Sequence, residues 1–171
     1  MDTNASTLRF DQRQFRDVLG HFCTGLTVIA ATDGTGRPAG FACQSFASLS
    51  LDPPLVTFSV AATSSSWPRI ERAGAFCATV LSAGQGALCR AFGTRGGDKF
   101  AGVDWSPAPA TGSPRIGGAL AWVDCEIESV LPGGDHRIVI GRVLDLDVSG
   151  EADHAEPLLF YRGAFLRPAA A

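Results

Sequence analysis

Short β-rich segments, separated by turn residues about every eight to twelve positions, limit most strongly what this chain can fold into. Examples are LTVIAAT at 26–32, AFCATVL at 75–81 and RIVIGRV at 137–143. Strands that do not alternate regularly with helices argue against a doubly wound parallel sheet. The pattern favours a closed antiparallel β-barrel with a few helices packed outside it.

Two segments carry clear helix signals. In FDQRQFRDVLGHF (10–22) the apolar residues recur at helical spacing, and Asp11 is a suitable N-cap. In SSSWPRIERAG (64–74), Ser66 is the expected N-cap, Pro68 stands in the first turn and Gly74 closes the helix. AGQGALCRAFG (83–93) is a third predicted helix.

The remaining segments are interpreted as strands and loops. AGFACQSFASLSL (39–51) is predicted to be one extended segment, after a hairpin turn at Asp33-Gly34. The stretch 94–114 is rich in Gly and Pro and is predicted to be a long loop. Segments 120–131 and 137–148 predict an antiparallel hairpin, with Val123, Cys125 and Ile127 on one face and Asp124, Glu126 and Glu128 on the other.

Composition excludes several classes of function. The 171 residues suffice for one domain, which we expect to span the whole chain, with a core at about 12–167 and a loose tail at 1–10. A net charge of −3 gives no basic surface for nucleic acid, and no apolar run is long enough to cross a membrane. The five cysteines lack the spacing of a metal site or a disulfide framework, so we expect reduced thiols, no metal and a cytoplasmic protein.

Single motifs leave their alternatives open. Gly34–Ala39 has the form GxGxxA, but Pro38 and the extended segment after it indicate a hairpin turn and not a dinucleotide fingerprint. Ser64–Ser66 could bind a phosphate or merely cap a helix. His136 could position a ligand, act as an acid or base, or be a turn residue. The Gly-rich loop around 98–105 could be a binding segment or a solvated loop.

Taken together, five ordered motifs resemble the short-chain flavin reductase family, the reductase components of two-component flavin monooxygenases. GFACQSFASLSLDPPLV (40–56) is similar to the family's G-x-T-A-N-S-F-x-S-V-S-L-D-P-P-L-V. SSSWPRI, DKFAGVDW, GGDHRIVIGRV and PLLFYRGAF follow in the family's order. The resemblance covers about residues 12–167 and is nearest to reductases that serve aromatic-ring hydroxylases, including those of steroid-ring degradation.

The resemblance implies an antiparallel split β-barrel of the FMN-binding type and a homodimer with flavin near the subunit boundary. It implies that FMN or FAD is reduced by NADH, with NADPH possible, and is passed to a separate oxygenase. Flavin contacts are implied for Phe41, Ala42, Cys43, Gln44, Ser45, Ser48, Leu49, Ser50, Ala62, Ser64, Ser65, Ser66, Arg95, Lys99 and Phe100. Positioning of the pyridine nucleotide is implied for His136, Tyr161 and Arg162, with hydride passing from nicotinamide C4 to flavin N5.

The chain departs from the family at Ala42, Cys43 and Gln44, where many members have Thr-Ala-Asn. Ala42 lacks a hydroxyl that could bond to the flavin, whereas Gln44 keeps an amide on a side chain longer by one methylene. Two other hypotheses stay open: a flavin protein of another activity, such as an FMN store or a pyridoxamine-phosphate-type oxidase, and a barrel adaptor without a ligand. Flavin titration and anaerobic reduction by NADH distinguish the three.

Overall fold

A computed structural model describes residues 9–149 and 156–169, so most of the predicted tail at 1–10 lies outside the described residues. Its α-helices are α1 (Gln12–Leu19), α2 (Trp67–Ala73) and α3 (Gly86–Gly93), the last preceded by a 3-10 turn at Ala83–Gln85. Its strands are β1 (Thr24–Gly25), β2 (Thr27–Thr32), β3 (Pro38–Cys43), β4 (Ala47–Leu51), β5 (Pro54–Ala61), β6 (Ala75–Val80), β7 (Trp105–Pro107), β8 (Pro114–Ile116), β9 (Ala121–Gly133), β10 (His136–Val148), β11 (Leu159–Tyr161) and β12 (Ala164–Leu166).

Seven of the strands form one antiparallel sheet in the order β3-β2-β6-β9-β10-β5-β4. The edge strands β3 and β4 follow each other in the chain, joined by residues 44–46 alone. Such a short link spans at most about 14 Å, so the sheet curls until its two edges approach each other. The predicted class, mainly β with an antiparallel split barrel and a few outer helices, is confirmed.

Aromatic side chains fill the inside of the curled sheet. The ring of Phe58 lies 5.1 Å from that of Phe76 and 6.1 Å from that of Trp67. A second apolar cluster, which includes Phe92 and Phe100, lies where α3 packs against β2 and β3. Burying each of these rings stabilises the fold by about 1.5–3 kcal/mol, so the two clusters hold β3 firmly from both faces.

The helix starts follow partly from the sequence. Asp11 caps α1 as predicted, since its Oδ1 accepts a hydrogen bond from the Gln14 N–H at 2.7 Å. At α2 the predicted capping bond is wrong: the Ser66 hydroxyl donates to the Gly40 carbonyl at 2.8 Å, and Ser64 Oγ accepts from the Trp67 N–H. Ser66 thus stands at the predicted N-cap position, but its side chain ties α2 to β3 and makes no capping bond; Gly74 ends the helix as predicted.

Two other predictions are corrected. The extended segment 39–51 is two strands, β3 and β4, which separate at 44–46. The predicted loop 94–114 contains the short strand β7, paired with β8. The hairpin of β9 and β10 is confirmed. Asp124 of β9 is completely buried, because residues 110 and 111 fold over its carboxylate.

Within 9–149 and 156–169, no helix has both the length and the apolar character needed to cross a membrane.

Candidate functional site

Strand β3 presents main-chain polar groups at the edge of the sheet. The Gly40 carbonyl accepts hydrogen bonds from Ser66 Oγ at 2.8 Å and from Lys99 Nζ at 3.4 Å, so it points away from the neighbouring strand β2. Backbone groups alternate in direction along an antiparallel strand. The N–H and C=O of Ala42, two residues on, therefore also point away from β2 and are available to a ligand.

A cavity of about 360 Å³ opens beside this part of β3, and we call it the central cavity. Its wall combines the end of β3, the end of β5 with the turn after it, the end of α3, and His136. The lining residues are Phe41, Ala42, Cys43, Gln44, Ser45, Ser59, Val60, Ala61, Thr63, Ser64, Ser65, Phe92, Gly93, Thr94, Arg95, Lys99 and His136. Apolar and polar groups thus alternate around one space.

Two cations stand at the α3 side of the central cavity. Arg95 donates to Thr63 Oγ1 at 2.9 Å. Lys99 Nζ donates to the Phe92 carbonyl at 2.9 Å, and partial burial lowers the pKa of its ammonium group. Both side chains are held by the protein while keeping further N–H groups for an anion.

His136 is the first residue of β10 and lies opposite Ala61 of β5. Its Nδ1 lies 2.7 Å from Asp135 Oδ1, and this hydrogen bond and the charge of the ring lower the pKa of the carboxyl group. A carboxylate accepts and does not donate, so Nδ1 carries the proton and Nε2 is left for a ligand.

A second space, the helix-side cavity, has a volume of about 710 Å³ and adjoins α1. It shares Gln44 and His136 with the central cavity, so the two meet at these side chains. The full lining is Phe15, Arg16, Asp17, Leu19, Gly20, Phe22, Gln44, His136, Phe160, Arg162 and Gly163. Arg162 has φ 49°, a left-handed conformation that β-turns such as this one require, and its N–H donates to the Gly20 carbonyl.

A third space, the loop-side cavity, has a volume of about 680 Å³ and adjoins the loop after α3. It shares Ser65 and Lys99 with the central cavity. Because the central cavity shares lining residues with each of the other two, we call these three spaces the cavity row.

Comparisons with known proteins identify the family of the chain that contains these cavities. Residues 19–168 match the family described as Flavin reductase like domain. The chain belongs to this family. The predicted resemblance and the predicted enzyme class, a flavin oxidoreductase, are confirmed.

Three relatives of this flavin reductase illustrate the range of the family. The reductase subunit HsaB of a flavin-dependent monooxygenase from Rhodococcus jostii is 54% identical over 91% of this chain and 77% of its own length. The FMN reductase (NADH) SmoA of Agrobacterium fabrum is 43% identical over 92% of this chain and 86% of its own. The crystal structure of nitrilotriacetate monooxygenase component B from Mycobacterium thermoresistibile has a TM-score of 0.88 and 50% identity, covering 93% of this chain and 87% of that one.

The flavin reductase brings most of the predicted residues together, though not all in one cavity. Ser66 and Phe100 line the loop-side cavity, and Arg162 lines the helix-side cavity. The remainder of the predicted set lines the central cavity, except for five residues that line none of the three: Ser48, Leu49, Ser50, Ala62 and Tyr161.

Each exception has a local cause. Ser48, Leu49 and Ser50 lie on the opposite edge strand, β4, where a register shift interrupts the pairing with β5. The Ala62 N–H donates to the Asp135 carbonyl, and the Tyr161 ring packs edge-on against His21. Ser45 does line the central cavity, but its hydroxyl bridges the backbone N–H and C=O of Ser59.

Sequence reasoning missed several residues of the flavin reductase site. Thr63 was not predicted as a site residue, because it holds Arg95 through a hydrogen bond to a residue 32 positions away in the sequence. Phe15 and Phe22 were interpreted only as the apolar stripe of α1, yet they line the helix-side cavity. Arg37 and Arg69 line the loop-side cavity. The motif Ser-Ser-Ser-Trp-Pro-Arg was a signal for Arg69, since it stands in the quoted helix segment.

Proposed function

We propose that this chain works as a single-domain, NADH-dependent flavin reductase that reduces FMN or FAD and passes the reduced flavin to a separate oxygenase. The names of two relatives support the proposal, since one is the reductase subunit of a flavin-dependent monooxygenase and the other an FMN reductase that uses NADH. The main structural support for the proposal is that the central and helix-side cavities share Gln44 and His136. A hydride transfer needs two ligands in contact, and neighbouring cavities can hold them so.

The central cavity fits the flavin ring system. Flavin is a flat apolar ring with a polar rim, and the wall offers Phe41 and Val60 beside the free backbone groups of Ala42. Because those groups belong to the main chain, the absence of the threonine hydroxyl at position 42 does not remove them. Ser65, Arg95 and Lys99 would face the flavin phosphate at the other end of the cavity.

The helix-side cavity fits the pyridine nucleotide. Arg16 and Arg162 provide positive charge for its diphosphate, and Phe160 and Phe22 provide apolar surface. His136, held by Asp135, would orient the carboxamide with its free Nε2, and the Gln44 amide would hold the facing edge. A bound flavin supplies an N5 atom that accepts hydride from nicotinamide C4, so NADH is oxidised as the flavin is reduced.

A homodimer is part of the proposal. Large apolar side chains are exposed on the single chain, among them Leu51, Leu146 and Val148 on β4 and β10. Helix α1 buries none of its residues, although Phe15, Val18 and Leu19 lie along it. Exposed large apolar side chains are covered when they lie in a protein interface, so these residues support a dimer. A cytoplasmic location stays a prediction, to which the five free thiols are suited.

Anaerobic absorbance of the flavin band tests the activity. Excess FMN or FAD is mixed with a catalytic amount of protein, and NADH or NADPH is added. We expect bleaching with many turnovers, faster with NADH. If the flavin binds but bleaches at most once per protein molecule, the chain is a flavin store; if neither flavin binds, the assignment of the central cavity is wrong.

A further inference from the structure

The loop-side cavity is the part of the cavity row to which the proposed function assigns neither the flavin ring nor the nicotinamide. It lies beyond the phosphate end of the central cavity and shares Ser65 and Lys99 with it. We propose that this cavity binds the adenylate half of FAD, which makes FAD the preferred flavin of this enzyme. The inference rests on the proposed function, because it requires the flavin ring in the central cavity.

The two shared residues stand where a diphosphate would pass between the cavities. Lys99 has three N–H groups, and two of them donate to the carbonyls of Gly40 and Phe92. The third is left for a phosphate oxygen. The exposed Ser65 has no hydrogen-bond partner among the described side-chain contacts, so its hydroxyl can donate to the same group.

The wall of the loop-side cavity carries more positive than negative charge. Arg37, Arg69 and Lys99 face Asp98, whose Oδ1 accepts a hydrogen bond from the Phe100 N–H. Arg69 is fixed by Asp33, at 2.6 Å, and by the Arg37 carbonyl. Within 9–149 and 156–169, the guanidinium of Arg37 shows no hydrogen bond, so it can pair with the adenylate phosphate.

The same cavity offers an aromatic surface for a base. Trp105 is partly exposed and packs edge-on against the buried Phe100, with ring centroids 6.2 Å apart. Trp105 thus adds an anchored aromatic ring to the cavity wall, and purine bases stack on aromatic side chains. FMN ends at its single phosphate and has no group to occupy this space, so only FAD gains these contacts.

Flavin titration of charge variants tests the inference. Dissociation constants for FAD and for FMN are measured by flavin fluorescence for the wild type, Arg37→Gln and Arg37→Glu. Arg72→Gln and Arg72→Glu are the matched controls, since Arg72 is exposed in the last turn of α2 and lines none of the three cavities. The backbone bonds of Arg37 to Asp33 are kept in every variant.

We expect the wild type to bind FAD at least tenfold more tightly than FMN. Arg37→Glu should weaken FAD binding by about tenfold and leave FMN within twofold, with Arg37→Gln between them and the Arg72 variants unchanged. Equal effects on both flavins, no effect on either, or a change only in the KM for NADH would overturn the adenylate site and leave the reductase function standing. A wild type that binds neither flavin would overturn both.

Discussion

At the scale of single residues, His136 is held in a defined protonation pattern at the junction of two cavities. Its Nδ1 lies 2.7 Å from the Asp135 carboxylate, whose side chain is almost fully exposed. The hydrogen bond fixes which ring nitrogen is free without burying either group. Under the proposed function, this geometry leaves Nε2 to orient a ligand.

We therefore expect His136→Ala to raise the KM for NADH by about three- to tenfold, because one or two hydrogen bonds to the nucleotide would be lost. The affinity for flavin should change much less. Steady-state kinetics with varied NADH measures the first effect, and flavin titration the second. Arg137→Ala is the matched control on the same strand, since Arg137 is exposed and lines none of the three cavities. An unchanged KM for NADH would contradict the role of His136.

The five thiols differ sharply in their surroundings. Cys23 is exposed, whereas the other four are buried. Burial raises the pKa of Cys77 to about 12 and that of Cys89 to about 11, and it also raises the pKa of Cys43 and Cys125. A thiol with a raised pKa holds almost no thiolate near neutral pH and reacts slowly.

Native protein at pH 8 should therefore release one equivalent of chromophore quickly in a thiol titration with a disulfide reagent. The other four equivalents should appear only after denaturation. Cys23→Ser should abolish the fast phase, and a fast equivalent that remains in that variant would show that a buried thiol is accessible.

At the scale of elements, the buried carboxylate of Asp124 on β9 anchors the loop before β8. Asp124 accepts hydrogen bonds from the backbone N–H groups of Ala110 and Thr111 and from the Thr111 hydroxyl. The turn at 108–113 leads from β7, whose Trp105 lines the loop-side cavity, to β8. Asp124 thereby anchors a turn that is joined to the cavity wall.

Asp124→Asn would turn two charge-assisted hydrogen bonds from backbone N–H groups into weaker neutral ones and place an amide N–H where the Thr111 hydroxyl now donates. It should therefore lower the free energy of unfolding by about 2 kcal/mol. Urea denaturation measures the loss. Glu126→Gln is the matched control, because Glu126 is exposed on the same strand and should change stability by less than about 0.5 kcal/mol. Equal stability of the two variants would contradict the anchoring role.

The sequence predicted the secondary-structure elements better than it predicted the tertiary contacts between them. Local patterns were enough for the Asp11 cap and the β9–β10 hairpin, because both depend on adjacent residues. Alternation along β9 could not show that Asp124 is buried, because a segment outside β9 covers it. The Ser66 hydroxyl likewise bonds to Gly40 and not to its own helix. The ordered motifs contained most residues of the central cavity. The loop-side cavity was not predicted, because it depends on tertiary contacts between segments that are distant in the sequence.

At the scale of the whole molecule, the exposed apolar residues are the basis of the proposed homodimer. Leu146 is 59% exposed and Val148 67%, and they share a face because they alternate on β10. Phe22, which lines the helix-side cavity, is 77% exposed. A second copy covering such surfaces would remove apolar area from water at about 25 cal/mol per Å².

Light scattering coupled to size-exclusion chromatography should therefore give the mass of two chains. Leu146→Lys should shift the protein toward one chain, because a charge would be buried at the interface. Asp147→Lys is the matched control, since Asp147 points to the other face of β10 and is also exposed. A wild type that runs as one chain at every concentration would contradict the dimer.

The free backbone groups of Ala42 on β3 have a consequence for how this enzyme tolerates change. Main-chain atoms are present whatever amino acid is encoded, so most substitutions at positions 42 and 43 can alter the side chains without erasing the ligand's partners. Proline is the exception, as it removes the N–H itself. Codons for positions 42 and 43 can therefore drift among small residues over evolutionary time, whereas Gly40 on the same strand has no room for a side chain.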